Sequence, residues 1–543
     1  MKVLYVHKRH PIEPLGIGYV SSSIARNGHK SKLILSSKDV GKAADHVSKE
    51  IEECKPDIFA QSIIFGSHRY AIELNKIIKE KYPRIISVLG GPAGTFTPEL
   101  IERGFDVLCR YEGENPFLEF CDALENRTDI GNIPNLWVKE NPNLYLTEVK
   151  KTKEILDIDN PHYKDESGFD STRKRFVNTT RPLLEGSSLN EIPLPDRELL
   201  YTQAIWADSP IKHFMHTRGC AFKCAYCFNV VQNMENRGKG TTVRRRAHES
   251  VAEEINQVKE KWPIELVYFQ DDIFGPIYRL NDALEFAEVY SKEVGLPFHC
   301  HARFDLISRD ERIAKAFAEA GCTGVHIAIE AGDEFIRNEV HQRGMSTEQI
   351  LTGAEYLRKY GIKMMTQNIL GAPGETKEQM LKTLELNIAV KPLFASASIF
   401  QPYPGTSALE YARDKGTLPA KGLNELIDQF GLETFYNKSI LALDPREKRW
   451  LEVFQKFFAI AVETPRLYKS GVLERVVSSL ASTYSTDLQT NESDNSPLPR
   501  TTSFHPGSDG IDKELENMYR LHRAEKDQEL YGVKLNDIVE EEN

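Results

Sequence analysis

The sequence predicts an α/β protein. An N-terminal doubly wound parallel sheet is followed by a partial, six-stranded (β/α) barrel and a helical C-terminal region. Three observations predict this. Short apolar runs alternate with helix-length segments across the first part of the chain, the alternation resumes at Lys212 for six further units, and beyond residue 420 only helical patterning continues. Strands alternating with helices imply a parallel sheet covered on both faces. The expected division is residues 1–131 for the first sheet, 132–209 for a connector, 210–420 for the partial barrel and 421–543 for the helical region.

In the first segment Val3 to Val6 reads as a buried strand, followed by a helix from Gly16 to Asn27. Further strands are expected at Leu33 to Leu35, Ile58 to Ser62, Ile85 to Leu89 and Phe105 to Cys109, with a helix from Arg69 to Lys81. Ligands of such sheets bind at the carboxyl ends of the strands. Residues 132–209 are rich in Pro, Asn, Asp and Ser. They suggest short strands lying across the surface of the neighbouring domains. The barrel strands are expected at His213 to His216, Leu266 to Gln270, Phe298 to Arg303, Gly324 to Ile329, Lys363 to Leu370 and Ala395 to Phe400. All but the last are followed by an amphipathic helical pattern, as in Glu249 to Trp262, Glu311 to Glu319 and Thr347 to Tyr360. The active site of such a barrel lies at the C-terminal mouth of its strands. Trp450, Phe454, Phe457 and Phe458 mark apolar helix faces, residues 483–510 have a disordered composition, and a charged helix is expected from Asp512 to Leu530.

A formal net charge of −11 argues against a dedicated nucleic-acid binder, which needs a basic surface. Arg244-Arg245-Arg246 reads either as a local basic groove or as a solvated turn. No apolar run approaches the roughly 18–20 residues of a membrane span. The N-terminus begins directly with a strand and shows no signal peptide, so a cytosolic location is expected. Of eight cysteines, five are scattered singly and read as small buried hydrophobes.

Cys220, Cys224 and Cys227 need another explanation. They form C-x3-C-x2-C directly after the first barrel strand. Three thiolates on one tight loop can ligate three irons of a cubane cluster and leave the fourth iron open for catalysis. The alternative is zinc, with His213 or His216 as a fourth ligand. Zinc sites, however, show paired C-x2-4-C knuckles, and the second pair is missing.

This loop, Arg218 to Asn229, resembles the signature of radical S-adenosylmethionine (SAM) enzymes, with Tyr226 before the last cysteine in keeping with the pattern. Later strand ends agree. The resemblance implies that Asp271 and Asp272, in Phe269 to Phe274, contact the methionine amine of SAM, and that Arg303 lies near its carboxylate. It further implies that Glu330 contacts the ribose or lines the substrate pocket, and that Gly371, Pro373 and Gly374, in Gly371 to Thr376, lie beside adenine. Pro402 to Thr406 ends the sixth strand.

The first domain is similar to the cobalamin-binding domain found ahead of such barrels. The matching pieces are Pro14 to Tyr19 with Leu15 and Gly16, Gln61-Ser62, Gly90-Gly91-Pro92 through Thr95, and Glu112 to Asn115 with Gly113 and Glu114. The connector's Ile192 to Arg197 resembles the segment that leads into the barrel. Glycines at strand ends admit a bulky corrin or its nucleotide tail. The Asp-x-His-x-x-Gly motif that supplies a cobalt ligand is absent. His7 and His10 are candidates for that role or ordinary loop histidines, and Ala93 stands where related sequences often carry His.

Taken together, the resemblance over residues 1–410 implies a cobalamin-dependent radical SAM enzyme with a [4Fe–4S] cluster, SAM and cobalamin. It implies reductive cleavage of SAM to a 5′-deoxyadenosyl radical, with flavodoxin or ferredoxin as electron donor. Methylation of an unactivated carbon of a small-molecule or natural-product substrate is the expected outcome. Cyclisation, ring contraction or rearrangement without methyl transfer is the alternative, and a non-catalytic cobalamin carrier or sensor is a third reading.

Overall fold

The computed structural model describes residues 1–141, 144, 168–170, 173–184, 186–418, 423–431, 436–483, 521–523 and 525–532. The expected disorder over 483–510 therefore lies outside the described residues, apart from Thr483. Most of the expected C-terminal helix does too, and of it residues 521–523 and 525–530 are helical.

The first sheet contains β1 (Lys2–Lys8), β2 (Lys30–Ser36), β3 (Ile58–Ser62), β4 (Ile86–Gly90), β5 (Val107–Cys109), β6 (Leu136–Lys139), β7 (Gly168–Asp170) and β8 (Arg175–Val177). Its order is β2-β1-β3-β4-β5-β6-β8-β7. The first five strands pair in parallel; the remaining pairings are antiparallel. Strand order reverses at β1, which puts the loops after β1 and β3 on either side of a switch point. The connector differs from expectation here, because β6 to β8 do not lie across a neighbour but extend this sheet. Burial explains it. Leu136, Trp137 and Val138 are all fully buried, and the Arg175 guanidinium lies 4.5 Å over the Trp137 ring and pairs with Glu102 at 3.0 Å.

The first helix (Leu15–Ala25) docks the rest of the connector. Asp196 donates its amide to Gly18 O at 3.0 Å and accepts from Ser21 Oγ at 2.8 Å, and Ser22 Oγ donates to Leu194 O at 2.6 Å. A Cβ on Gly18 would stand 2.9 Å from the Pro195 side chain. Glycine is required at this crossing because the two backbones meet.

The second sheet consists of β9 (Ile211–Phe214), β12 (Leu266–Phe269), β13 (Phe298–Ala302), β14 (Cys322–Glu330), β15 (Lys363–Leu370) and β16 (Phe394–Ile399). Between β9 and β12, β10 (Thr217–Arg218) and β11 (Arg244–Arg245) form an antiparallel ribbon. The six strands run in sequence order, as a (β/α) barrel does, with β9 and β16 at the edges. β9 pairs with β12 in parallel, and β13 to β16 pair successively in parallel. A short helix (Ser407–Asp414), capped by Thr406, also follows the last strand, where none was expected.

The chain divides into two compact units. Among the described residues, the first comprises those within 1–221 and 228–275, and the second those within 222–227 and 276–532. Within the second, the helix Pro445–Glu463 lays Trp450, Leu451, Phe454 and Phe458 on Leu370, Ala395, Ala397 and Ile399, while Phe457 is partly buried beside them. Gln455 Nε2 donates to Ala397 O at 2.7 Å, so the edge strand β16 is covered rather than left open. The tail closes a different place. Leu530 is buried with Met365, Phe394 and Ala459, Tyr531 stacks 5.2 Å from the His299 ring, and Lys363 Nζ donates to Glu529 O at 2.5 Å. None of the eight cysteines forms a disulfide; of the five scattered ones, Cys109, Cys121, Cys300 and Cys322 are buried and Cys54 is half-buried.

The first helix supplies a matched test of this packing. Gly18→Val should cost about 1–3 kcal/mol by overpacking against Pro195. Gly16→Ala, where nothing stands within 4 Å of the new Cβ, should stabilise by up to about 1 kcal/mol. Thermal unfolding of the two variants without added cofactors checks the opposite signs.

Candidate active site

In the first unit, the chain enters the cysteine loop through Arg218. Its guanidinium donates to Glu112 Oε1 at 3.1 Å and Glu114 Oε1 at 2.6 Å, and lies 4.9 Å over the Tyr19 ring. Arg244, opposite Arg218 in the ribbon, donates to Glu112 Oε1 at 2.6 Å and to Leu184 O at 2.9 Å. Glu112 therefore fastens both ribbon strands. Gly219 follows at φ +87, and a Cβ there would stand 2.2 Å from Thr242 O, so only glycine can turn the chain into Cys220. The Cys220 carbonyl accepts from Asn233 Nδ2 at 2.8 Å.

Arg244 and Arg246 are buried, and only Arg245 is exposed. Arg246 pairs with Glu254, which also accepts from Arg197 Nη2 at 2.7 Å, and Arg197 Nη1 donates to Glu13 Oε2 at 2.5 Å. The arginine triplet is thus neither a basic groove nor a solvated turn. Arg246 belongs to an interior run of alternating charges, and Arg244 is held by Glu112.

In the second unit, two guanidinium groups face Cys224: Nη1 of Arg303 and Nη1 of Arg343 each lie 3.7 Å from its Sγ. Arg303 Nε donates to Asp305 at 2.9 Å and its Nη2 to Arg343 O at 2.8 Å. Arg343 Nη1 also donates to the Tyr226 hydroxyl at 3.1 Å, and that hydroxyl donates to Glu330 Oε1 at 2.7 Å. Burial works against the Arg343 charge, but Tyr226, Cys224 and Glu330 outweigh it and hold its pKa above the ordinary value. Burial also pushes the Glu330 carboxyl up, with Arg343 and Tyr226 only partly opposing. Glu330 sits at φ +64, beside a register shift between β14 and β15. A left-handed non-glycine residue stores on the order of 1–3 kcal/mol, and here the strain aims the carboxylate at Tyr226.

Asp271, Asp272 and the glycine-rich segment behave differently from Arg303 and Glu330. Asp271 is buried and accepts from His216 N at 2.8 Å; burial raises its pKa from 3.8 to about 7. Asp272 is exposed. The segment Gly371 to Glu375 closes on itself, since Glu375 Oε2 accepts from the amides of Gly371 at 2.7 Å and Ala372 at 2.9 Å. A Cβ on Gly371 would stand 2.3 Å from Leu451 Cδ2; Pro373 is buried, and Gly374 is open.

At the carboxyl edge of the first sheet, Ser62, Gly90, Gly91 and Pro92 come together. Gly91, at φ +85, lies so close to Ile63 and Ser62 that a Cβ would stand 2.7 Å from the Ile63 backbone and 2.9 Å from Ser62 Oγ. Gly16 is open, whereas Leu15 is core. Gly113 has Val20 Cγ2 only 3.1 Å from where a Cβ would be, and Glu114 is occupied by Arg218. These last three have packing or pairing roles. Burial lowers the His7 pKa to about 4, so its ring is neutral, and its buried Nδ1 has no hydrogen-bond partner among the described residues. His10 is exposed, and its Nδ1 accepts from Ile12 N at 3.1 Å. An unpartnered imidazole nitrogen, a half-buried hydroxyl and exposed Ile12 and Ile64 fit a large, partly apolar cofactor. Three thiols of one loop likewise fit an iron–sulfur cluster by donor chemistry. Among the described residues, no three His, Cys, Asp or Glu side chains are gathered into a ready-made metal site.

Arg343, Glu13 and Glu254 carry no motif, and Glu112 opens a segment singled out by resemblance without any sign of its two arginine partners. No sequence signal announces Arg343, which is buried between exposed Gln342 and Gly344.

Known proteins resemble the chain over both domains. Residues 214–386 match the radical SAM superfamily and residues 1–120 the B12 binding domain. The chain is 29% identical over 407 residues to an uncharacterised methyltransferase of Pyrococcus horikoshii, covering 74% of this chain and 78% of that protein. It is 22% identical over 434 residues to the anaerobic magnesium-protoporphyrin IX monomethyl ester cyclase of Rubrivivax gelatinosus, covering 76% and 70%. The structure of the radical SAM methyltransferase TsrM from Kitasatospora setae, with tryptophan substrate and a SAM analogue bound, aligns with a TM-score of 0.58 at 17% identity, covering 76% of each chain. The chain is therefore a radical SAM enzyme. It belongs to the cobalamin-dependent radical SAM family, whose two domains imply a [4Fe–4S] cluster, SAM and cobalamin as cofactors. No helix among the described residues is long and apolar enough to cross a membrane.

Asp271 gives this site a measurable pH signature. An acid whose folded-state pKa lies above its unfolded value contributes most to stability below the unfolded value, near 3.8, and loses that contribution as pH rises through about 7. Asp271→Asn should remove this part of the slope, and its stability relative to the parent should improve from pH 4 to pH 8. Chemical denaturation across that range is the check.

Proposed function

We propose that this enzyme methylates an unactivated carbon of a small-molecule or natural-product substrate. When bound, the cluster and SAM supply a carbon-centred radical and cobalamin supplies the methyl group, so the difficult chemistry belongs to the cofactors. The observation that carries the reading is the presence in one chain of the three-cysteine loop and of strand-end loops suited to a corrin. The similarity to a protein described as a methyltransferase supports it.

The chain's own residues bind and orient. Cys220, Cys224 and Cys227 hold the cluster. Asp271, Asp272, Arg303 and Glu330 lie at strand ends, where SAM would be held, Tyr226 stands in the cysteine loop, and Gly374, in the loop after β15, has open space around it. Tyr226 fixes the Glu330 carboxylate by its 2.7 Å hydrogen bond, leaving that group's second oxygen for a ligand hydroxyl. Ser62, Gly90, Gly91 and Pro92 receive the cobalamin tail, and Gly16 stays clear of obstruction. The neutral His7 ring is a candidate donor toward cobalt. A flavodoxin or ferredoxin supplies the electron.

A second reading keeps both cofactors and ends in ring closure or rearrangement; the similarity to a cyclase favours it. An anaerobic assay of the reconstituted protein with SAM, reductant and methylcobalamin separates the two. The methyltransferase should form 5′-deoxyadenosine and S-adenosylhomocysteine together, and the triple variant Cys220→Ala, Cys224→Ala, Cys227→Ala should lose the deoxyadenosine. Deoxyadenosine without S-adenosylhomocysteine would favour cyclisation or rearrangement. Retained function in the triple variant would point to a cobalamin carrier.

A further inference from the structure

Two buried cations converge on one sulfur. Arg303 and Arg343 each approach Cys224 Sγ to 3.7 Å, and neither is free to turn away. Arg303 is fixed by Asp305, by the Arg343 carbonyl and by the Phe222 ring 3.5 Å beneath its guanidinium. Arg343 is fixed by the Ala328 carbonyl at 2.7 Å and by Tyr226. The Glu330 carboxylate lies 3.9 Å from Arg343, slightly farther than the sulfur does. An Arg–carboxylate contact in this surrounding would ordinarily be drawn up to a charge-assisted bond of about 2.7–2.9 Å. Here the fork is spread over a hydroxyl, a carbonyl and a thiol instead.

Sulfur that accepts hydrogen bonds gives up electron density, and hydrogen bonds to cluster sulfurs are one of the terms that set the potential of an iron–sulfur centre. We propose that Arg303 and Arg343 act as positioning residues that raise the reduction potential of the [4Fe–4S] cluster through Cys224. The step concerned is the gain of one electron from an external one-electron reductant. No bond forms or breaks in it, and the added negative charge is stabilised by the two guanidinium groups. The proposal rests on the assignment of Cys224 as a cluster ligand. It gives Arg303 a partner other than the SAM carboxylate and gives Arg343 a role that no sequence motif announces.

The test uses full-length chains reconstituted anaerobically with iron and sulfide. Iron per chain is measured, and reduced cluster is followed by electron paramagnetic resonance during a mediated dithionite titration. Poised at the parent midpoint, Arg343→Gln should hold about tenfold less reduced relative to oxidised cluster, equal to ~59 mV for one electron. Arg343→Lys, which keeps the charge but not the fork, should fall between. Asp305→Asn removes the carboxylate that offsets Arg303 and should move the midpoint the other way, which a merely structural role would not do. A loaded Arg343→Gln protein with the parent midpoint would overturn the proposal. So would folded Gln and Lys variants that both fail to take up iron, since Arg343 would then serve assembly. Parent protein that forms no [4Fe–4S] cluster at all would instead remove the assignment of Cys224 on which the proposal stands.

Discussion

The run of charges from Glu13 through Arg197 and Glu254 to Arg246 is the constraint on which the first unit depends. Its members come from the loop after the first strand, the connector, and the ribbon and helix that follow the first barrel strand. Each is almost wholly buried. Charges taken out of water are tolerated only when their partners are in place, and removing one member of such a set typically costs about 3–5 kcal/mol. Arg197 Nη2 also donates to His213 O at 2.8 Å, which ties the run to β9. Glu112 repeats the device nearer the cysteines by holding Arg218 and Arg244 together. The entry to the thiol loop is thereby built from residues that lie more than a hundred positions apart.

Much of the fold was legible because its signals are local. Strands such as Ile58–Ser62 and Lys363–Leu370 and the helix Glu311–Glu319 begin and end where the sequence pattern places them, since a short apolar run or a helical period is carried by neighbouring residues. The connector was harder to read. Its strands are three or four residues long, and their place in the sheet is decided by stacking of Arg175 on Trp137, which no local pattern announces. The same divide runs through the site. The cysteines stood out by their spacing, while Tyr226, Arg303 and Glu330 were singled out only through the family resemblance. Arg343 was not, because its meaning comes only from standing beside Cys224. Glycines were visible as glycines, but not the difference between Gly16, which is open, and Gly18 or Gly371, which lie against Pro195 and Leu451.

Glu330 and Cys224 show how the second unit departs from regular structure where chemistry is expected. The backbone of Glu330 is strained, and the sulfur of Cys224 meets two cations that burial alone would disfavour. Neither arrangement helps folding by itself. Both persist because the surroundings over-determine them, through the Ala328 and Arg343 carbonyls and the Phe222 ring. By contrast, the Cys109 and Cys121 thiols are simply buried and pushed up to about 12, which leaves them unreactive.

The tail has a consequence in time. Leu530 and Tyr531 cover the starting ends of β13 to β15, where Gly324 leaves room for both His299 and Leu530. A ribosome adding about 5–20 residues per second needs roughly ten to fifty seconds to pass from β13 to that tail. Throughout that interval the nascent barrel must stand with its histidine-lined floor uncovered. Completion of this unit therefore waits on synthesis of the segment that carries Leu530 and Tyr531, and a chain stalled or clipped before Leu530 would present the same exposed floor to chaperones and proteases.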